Sequence, residues 1–116
     1  IDKSSLDDKI ALQSSEGLTL IYPSDVLYLK ADGAYTQFIL RGGKRITVAK
    51  TLNDFMKLED KGYFVRVHRS YIINVNHIKK VLKMDKGTVL MEDDMEVSVS
   101  QDKKEQLYKI IEGFKI

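Results

Sequence analysis

Short runs in which apolar and polar residues alternate, each closed by a turn signal, fill this chain from Lys9 to Val99. A period of two marks a strand with one buried face. Ile10 and Leu12, then Leu18, Leu20 and Tyr22, alternate with polar or small residues, and Ser14-Ser15-Glu16-Gly17 turns between them. Val26–Leu29, Tyr35–Leu40 and Arg45–Val48 continue the pattern. Arg41-Gly42-Gly43-Lys44 is the clearest hairpin, because paired glycines supply the positive φ that tight hairpin turns take. Phe64–Val67, Ile78–Lys83, Thr88–Met91 and Glu96–Val99 follow, with turns at Asp85-Lys86-Gly87 and Glu92-Asp93-Asp94.

Two segments break the alternation. Thr51 with Asp54 resembles a capping box, and Leu52, Phe55, Met56 and Leu58 then share one helical face that ends at Gly62. Ser100 reads as a helix N-cap, Asp102 and Glu105 suit the positive end of the dipole, and Leu107, Ile110, Ile111 and Phe114 form the apolar stripe of a C-terminal helix. The expected architecture is antiparallel and mostly β, with about eight to ten short strands, one short internal helix and a C-terminal helix.

At 116 residues the chain is one domain with enough length for a real core. Hydrophobic residues make up 43% and charged residues 31%, a globular balance rather than a disordered one. No apolar run approaches the roughly 18 residues a membrane helix needs. Ile1–Asp8 is polar and aperiodic and reads as a linker remnant, leaving 9–116 as the domain. A start at Ile1 rather than Met reads as a piece of a longer protein.

The absence of cysteine excludes a disulfide scaffold, a thiolate zinc site and a cysteine nucleophile. His68 and His77 lack ligand-spaced partners, no strained G-x-S-x-G elbow accompanies Ser70, and no Gly-rich phosphate loop is present. The carboxylate pairs Glu59-Asp60 and Asp93-Asp94 sit in turn-like positions, where acids are ordinarily solvated. The expectation is a protein that is not an enzyme and that carries no cofactor or metal.

Net charge is +2, but its distribution is uneven: residues 1–30 sum to −2, residues 31–90 to +7 and residues 91–116 to −3. A basic middle between acidic ends suits a polyanionic partner, nucleic acid first among them. Within it, Y-F-V-R-V-H-R-S-Y-I-I-N-V-N-H-I (Tyr63–Ile78) interleaves Arg66, His68, Arg69, Ser70, Asn74, Asn76 and His77 with apolar residues. Arg, Ser and Asn are the types that reach phosphates and base edges. Alternation puts Phe64, Arg66 and His68 on one strand face and Val65 and Val67 on the other, with Arg69 and Ser70 where the strand yields to a loop.

Phe64–Ile78 resembles the signature of the LytTR DNA-binding domain family. The resemblance extends to Asp25–Ala31, to Leu52-Asn53-Asp54-Phe55 and to Glu96–Ser100, and so covers the chain from about Lys9 to Ile111. It implies an elongated antiparallel β-sheet fold that reads double-stranded DNA through loops between strands. It further implies the cytoplasmic output domain of a bacterial two-component response regulator. The partners implied are promoter DNA with tandem half-sites, a receiver domain in the same chain and, through it, a sensor histidine kinase; no membrane is involved.

Carried over residue by residue, the resemblance makes Tyr35 and Thr36, Arg69 and Gln101 the base-reading candidates. His68 joins them in facing DNA, and Lys50, Ser70, Ser100, Lys103 and Lys104 are the phosphate-contact candidates. Two positions depart from the pattern: Ser100 stands where arginine is frequent, and Lys30 where an acid is frequent. Serine reaches a phosphate but cannot pair bidentately with guanine, so that base reading there either shifts to Gln101 or is lost. The rivals are a single-stranded nucleic-acid or RNA-binding β-domain, with Tyr35 and Tyr71 as its stacking platforms, and a protein-interaction module.

Overall fold

The computed structural model describes residues 8–83 and 87–116. The linker expected over 1–8, Asp8 apart, and the first part of the Asp85-Lys86-Gly87 turn lie outside the described residues. Ten strands lie within them: β1 (Ile10–Ser14), β2 (Gly17–Ile21), β3 (Val26–Asp32), β4 (Tyr35–Leu40), β5 (Arg45–Val48), β6 (Phe64–His68), β7 (Tyr71–Asn74), β8 (Ile78–Lys83), β9 (Thr88–Met91) and β10 (Glu96–Ser98). They form a central five-stranded sheet in the order β5-β4-β3-β7-β6, a β1–β2 hairpin, and a three-stranded sheet β10-β9-β8. Every pairing is antiparallel.

The central sheet is covered on both faces, which explains why its middle strands read as near-continuous apolar runs. On one face Val26, Leu29, Phe38, Leu40, Phe64 and Ile72 pack against Leu12 and Ile21 of the hairpin and Leu52 and Leu58 of the internal helix. On the other, Leu27, Tyr28, Ile39, Val65, Val67 and Ile73 meet Val89, Met91 and Val97 of the small sheet and Leu107 of the C-terminal helix. Each large side chain buried this way contributes about 1.5–3 kcal/mol relative to exposure. A register slip between Val26 and Tyr28 inserts one extra residue into β3 and brings Leu27 and Tyr28 to the same face. The resulting body measures 42 × 40 × 24 Å.

The internal helix, Leu52–Lys61, is wound as a 3-10 helix. Leu52, Phe55 and Leu58 recur every third residue and therefore stack in one row at three residues per turn. The Asp54 carboxylate accepts from the Thr51 N–H at 3.3 Å, and Gly62, at φ 87°, closes the last turn through its N–H to the Glu59 carbonyl. A further 3-10 turn, Gln101–Lys103, leads into α1 (Lys104–Glu112). Leu107 is fully buried on α1, whereas Phe114 lies past its end and is exposed, so the expected apolar stripe stops at Ile111. Among the described residues no helix is long and apolar enough to cross a membrane.

Candidate nucleic-acid interface

Antiparallel order sends alternate turns to opposite ends of the central sheet, and one end collects most of the residues singled out from the sequence. Lys50 follows β5, Tyr35 opens β4, Asp32 closes β3, Ser70 precedes β7, and Arg69 follows β6. Four strand spacings place the β5 and β6 termini about 20 Å apart, the length of about six base pairs along a duplex. A sixth segment joins at the β6 edge, where the Ser100 N–H donates to the Val67 carbonyl at 2.6 Å. Gln101 is thereby held beside the β6–β7 turn.

Tyr35, Lys50, Arg69 and Gln101 are exposed, and His68, Ser70 and Lys103 are half-buried. The Ser70 N–H donates to His68 Nδ1 at 3.1 Å, so the imidazole proton sits on Nε2, and the Ser70 carbonyl accepts from the Ala31 N–H at 2.9 Å. These ties fix the two-residue turn Arg69-Ser70 between β6 and β7. Val67 is the extra residue of a bulge that precedes the turn.

Three candidates are placed differently from the expectation. Thr36 is fully buried, and its hydroxyl donates to the Lys50 carbonyl at 2.7 Å. It cannot read a base from there; it secures the backbone that carries Lys50. The Ser100 hydroxyl donates to Asp102 Oδ1 at 2.9 Å, which sets a carboxylate rather than a free hydroxyl at the third loop. Lys104 is half-buried with intramolecular contacts of its own, its side chain lying against Gly87, so its ammonium is not simply presented to a ligand.

Residue type alone also misplaces part of the Tyr63–Ile78 segment. Asn74 is fully buried at the far end of β7, donating to the Val26 carbonyl at 3.0 Å and accepting from the Asn76 N–H at 2.9 Å. His77 is buried, with Nδ1 2.9 Å from Glu92 Oε1 and Nε2 2.7 Å from the Ser24 carbonyl. Both residues latch the core. Arg66, which its residue type groups with the side chains that reach phosphates and base edges, is turned inward instead and proves central to the loop end. Its guanidinium donates to the Arg69 carbonyl at 2.6 Å and to the Asn53 side chain. A charged residue inside the otherwise apolar Phe64-Val65-Arg66-Val67 run was the signal available for it.

Charge is less concentrated than the sequence segment suggested. Arg41, Lys44 and Arg45 surround the β4–β5 turn at the opposite end of the sheet, and Arg41 lies 3.5 Å from Asp25. Lys79 pairs with Asp94 at 2.8 Å, a contact that raises its pKa. Among the described residues, Lys50 and Arg69 are the exposed cations at the loop end, with Lys30 and Lys103 half-buried nearby. Tyr71 packs edge-on against Tyr28 and His68, leaving Tyr35 as the exposed aromatic ring at this end.

Known proteins are similar to this chain in sequence and in fold. Residues 16–112 match the family model of the LytTr DNA-binding domain. A solved LytTr DNA-binding domain from Bacillus cereus superposes with a TM-score of 0.72 at 30% identity, covering 89% of this chain and 95% of that one. The sensory transduction protein LytT of Bacillus anthracis is 30% identical over 106 residues, covering 89% of this chain and 42% of its own. The heme-containing CO-sensing transcriptional regulator RcoM 1 of Paraburkholderia xenovorans is 26% identical over 106 residues, covering 89% of this chain and 39% of its own. The chain thus spans about two-fifths of the length of these curated relatives. The family match over most of its length and the shared fold show that this chain belongs to the LytTR DNA-binding domain family.

Proposed function

We propose that this domain binds double-stranded DNA sequence-specifically through the loop end of its central sheet, as the output domain of a two-component transcriptional regulator. The observation that carries the reading is convergence: Tyr35, Lys50, Arg69-Ser70 and Gln101, from four separate chain segments, meet at one end of a three-layer body. Arg69 and Gln101 are base readers, able to pair bidentately with guanine and adenine respectively, and Tyr35 offers a ring and a hydroxyl. Lys50, Lys103, His68 Nε2 and the Ser70 hydroxyl position the duplex through phosphates. Chemistry of this kind is binding, and the domain is not an enzyme.

A receiver domain elsewhere in the same protein, addressed by a sensor histidine kinase, supplies control, and tandem half-sites in a cytoplasmic promoter supply the target. Relatives named for CO sensing and for sensory transduction support the view that one output domain serves different inputs. The single-strand reading is weaker, since among the described residues Tyr35 alone is exposed as a stacking platform at this end. Competition among duplex DNA, single strands and RNA tests the proposal, followed by selection from a random duplex library. Recovery of one consensus duplex supports it; equal affinity for all three polymers overturns it.

A further inference from the structure

We propose that Arg66 determines base preference without touching a base, by fixing the direction in which Arg69 leaves the β6–β7 turn. The inference rests on the reading of Arg69 as a base reader. The two carbonyls flanking the Arg69 Cα belong to His68 and Arg69. The Arg66 guanidinium donates to both, Nε to the His68 oxygen at 3.4 Å and Nη2 to the Arg69 oxygen at 2.6 Å. Nη1 is tied to the internal helix, donating to Asn53 Oδ1 and lying 3.5 Å from Met56 Sδ. The Arg66 backbone is tied there as well, its N–H donating to Glu59 Oε2 at 2.8 Å.

One planar group therefore holds both peptide planes on either side of Arg69 and refers them to a helix packed on the core. Those planes set the φ and ψ of Arg69, and with them the direction of its Cβ. The turn needs such a brace. Asp94 is the sole non-glycine residue with positive φ among those described, so Arg69 and Ser70 do not form the mirror-image turn that matches strand twist without help. With its donors engaged in this way, Arg66 is left poorly equipped to grip a phosphate. Lysine at this position keeps the charge but is a point donor that cannot bridge two carbonyls and an amide in one plane.

The test uses the consensus duplex selected by the wild-type domain and its single-base-pair variants, with Arg66→Lys, Asn53→Ala, Arg69→Ala and the Arg66→Lys/Arg69→Ala double variant. Arg66→Lys should lose about tenfold discrimination at the base pair that Arg69→Ala relaxes. It should leave discrimination elsewhere and the salt slope unchanged, and add nothing further in the Arg69→Ala background. Asn53→Ala, which frees the far side of the guanidinium, should move the same base pair by a smaller factor and keeps the test alive if Arg66→Lys fails to fold. Uniform weakening on every duplex, with no change in preference at the base pair that Arg69→Ala relaxes, would make Arg66 a phosphate contact and overturn the proposal, as would additive effects in the double variant. If Arg69→Ala relaxes one base pair and neither Arg66→Lys nor Asn53→Ala does, this inference alone falls. If Arg69→Ala relaxes none, the assignment of Arg69 falls with it.

Discussion

The buried Thr36 hydroxyl donates to the carbonyl of the exposed Lys50 at 2.7 Å, linking the first residues of β4 to the chain leaving β5. Fourteen residues separate the two in sequence, and the bond holds the end of β5 against the loop end of the sheet. Thr36→Val keeps the shape but leaves the carbonyl without its partner. The expected loss is about 1–2 kcal/mol of stability, read from the denaturant midpoint, with a small uniform loss of DNA affinity. An unchanged midpoint would show that the bond holds nothing.

Arg69→Ala and Gln101→Ala should act on different base pairs. Each should cost about 1–3 kcal/mol on the consensus and flatten preference at one position, while leaving thermal stability unchanged, because both side chains are exposed. The measurement is a panel of single-base-pair variants for each protein. Equal weakening on every duplex would reassign the residue to the phosphates.

At the third loop, the Ser100 hydroxyl donates a hydrogen bond to the Asp102 carboxylate, so the segment presents negative charge toward the proposed site of the duplex, which is also negative. Asp102→Asn should tighten binding several-fold at low salt, with the gain shrinking as salt rises, since exposed charges about 10 Å or more apart are screened near 0.1 M. Ser100→Arg should add affinity and a preference for guanine at one position. Weaker binding by Asp102→Asn would show that the carboxylate accepts from a base, as an acid can from cytosine N4.

Much of the fold is legible in the sequence because a period of two is a direct consequence of the pleat. The turns at Ser14–Gly17 and Arg41–Lys44 and the run boundaries of β4, β5, β8 and β9 follow from it, whereas β3 runs past the expected Leu29 to Asp32. The winding of the internal helix is less legible: Leu52, Phe55 and Leu58 fit a row on a 3-10 helix as well as a stripe on an α-helix. The site was readable as loops and a motif, through resemblance. What escaped was direction. Thr36 and Asn74 are polar types whose partners, the Lys50 and Val26 carbonyls, lie far off in sequence, so their burial leaves no local trace. Arg66 fitted the alternation as just another polar position, and only the turn folded over it reveals what it holds.

Tyr28 gives the fold a pH dependence on the alkaline side. Its hydroxyl is buried and donates to Asp93 Oδ2 at 2.8 Å, and burial first, then that carboxylate, pushes its pKa well above the ordinary tyrosine range. Unfolding returns Tyr28 to its ordinary value, so at high pH the unfolded chain releases a proton that the folded chain keeps. Its stabilising contribution is therefore complete below about pH 10, the unperturbed tyrosine value, and declines above it. Tyr28→Phe should lower stability at neutral pH by about 1 kcal/mol and flatten the fall on the alkaline side. Parallel alkaline limbs for the two proteins in pH-dependent denaturation would refute the assignment.

Salt dependence separates the charge of the chain from the charge of the site. The basic middle segment alone suggests several phosphate contacts, but antiparallel topology carries Arg41, Lys44 and Arg45 to the far end of the sheet, and Lys79 pairs with Asp94 on β8. Among the described residues Lys50 and Lys103 remain as the phosphate-contact cations at the loop end, so about two phosphates should be neutralised per domain, giving a log–log slope of about −1.8 at about 0.9 per contact. Lys50→Ala should make that slope shallower by about 0.9, whereas Lys44→Ala and Lys79→Ala should leave it unchanged. A slope that responds to Lys44 but not to Lys50 would place the duplex at the β4–β5 turn and move the interface to the opposite end of the molecule.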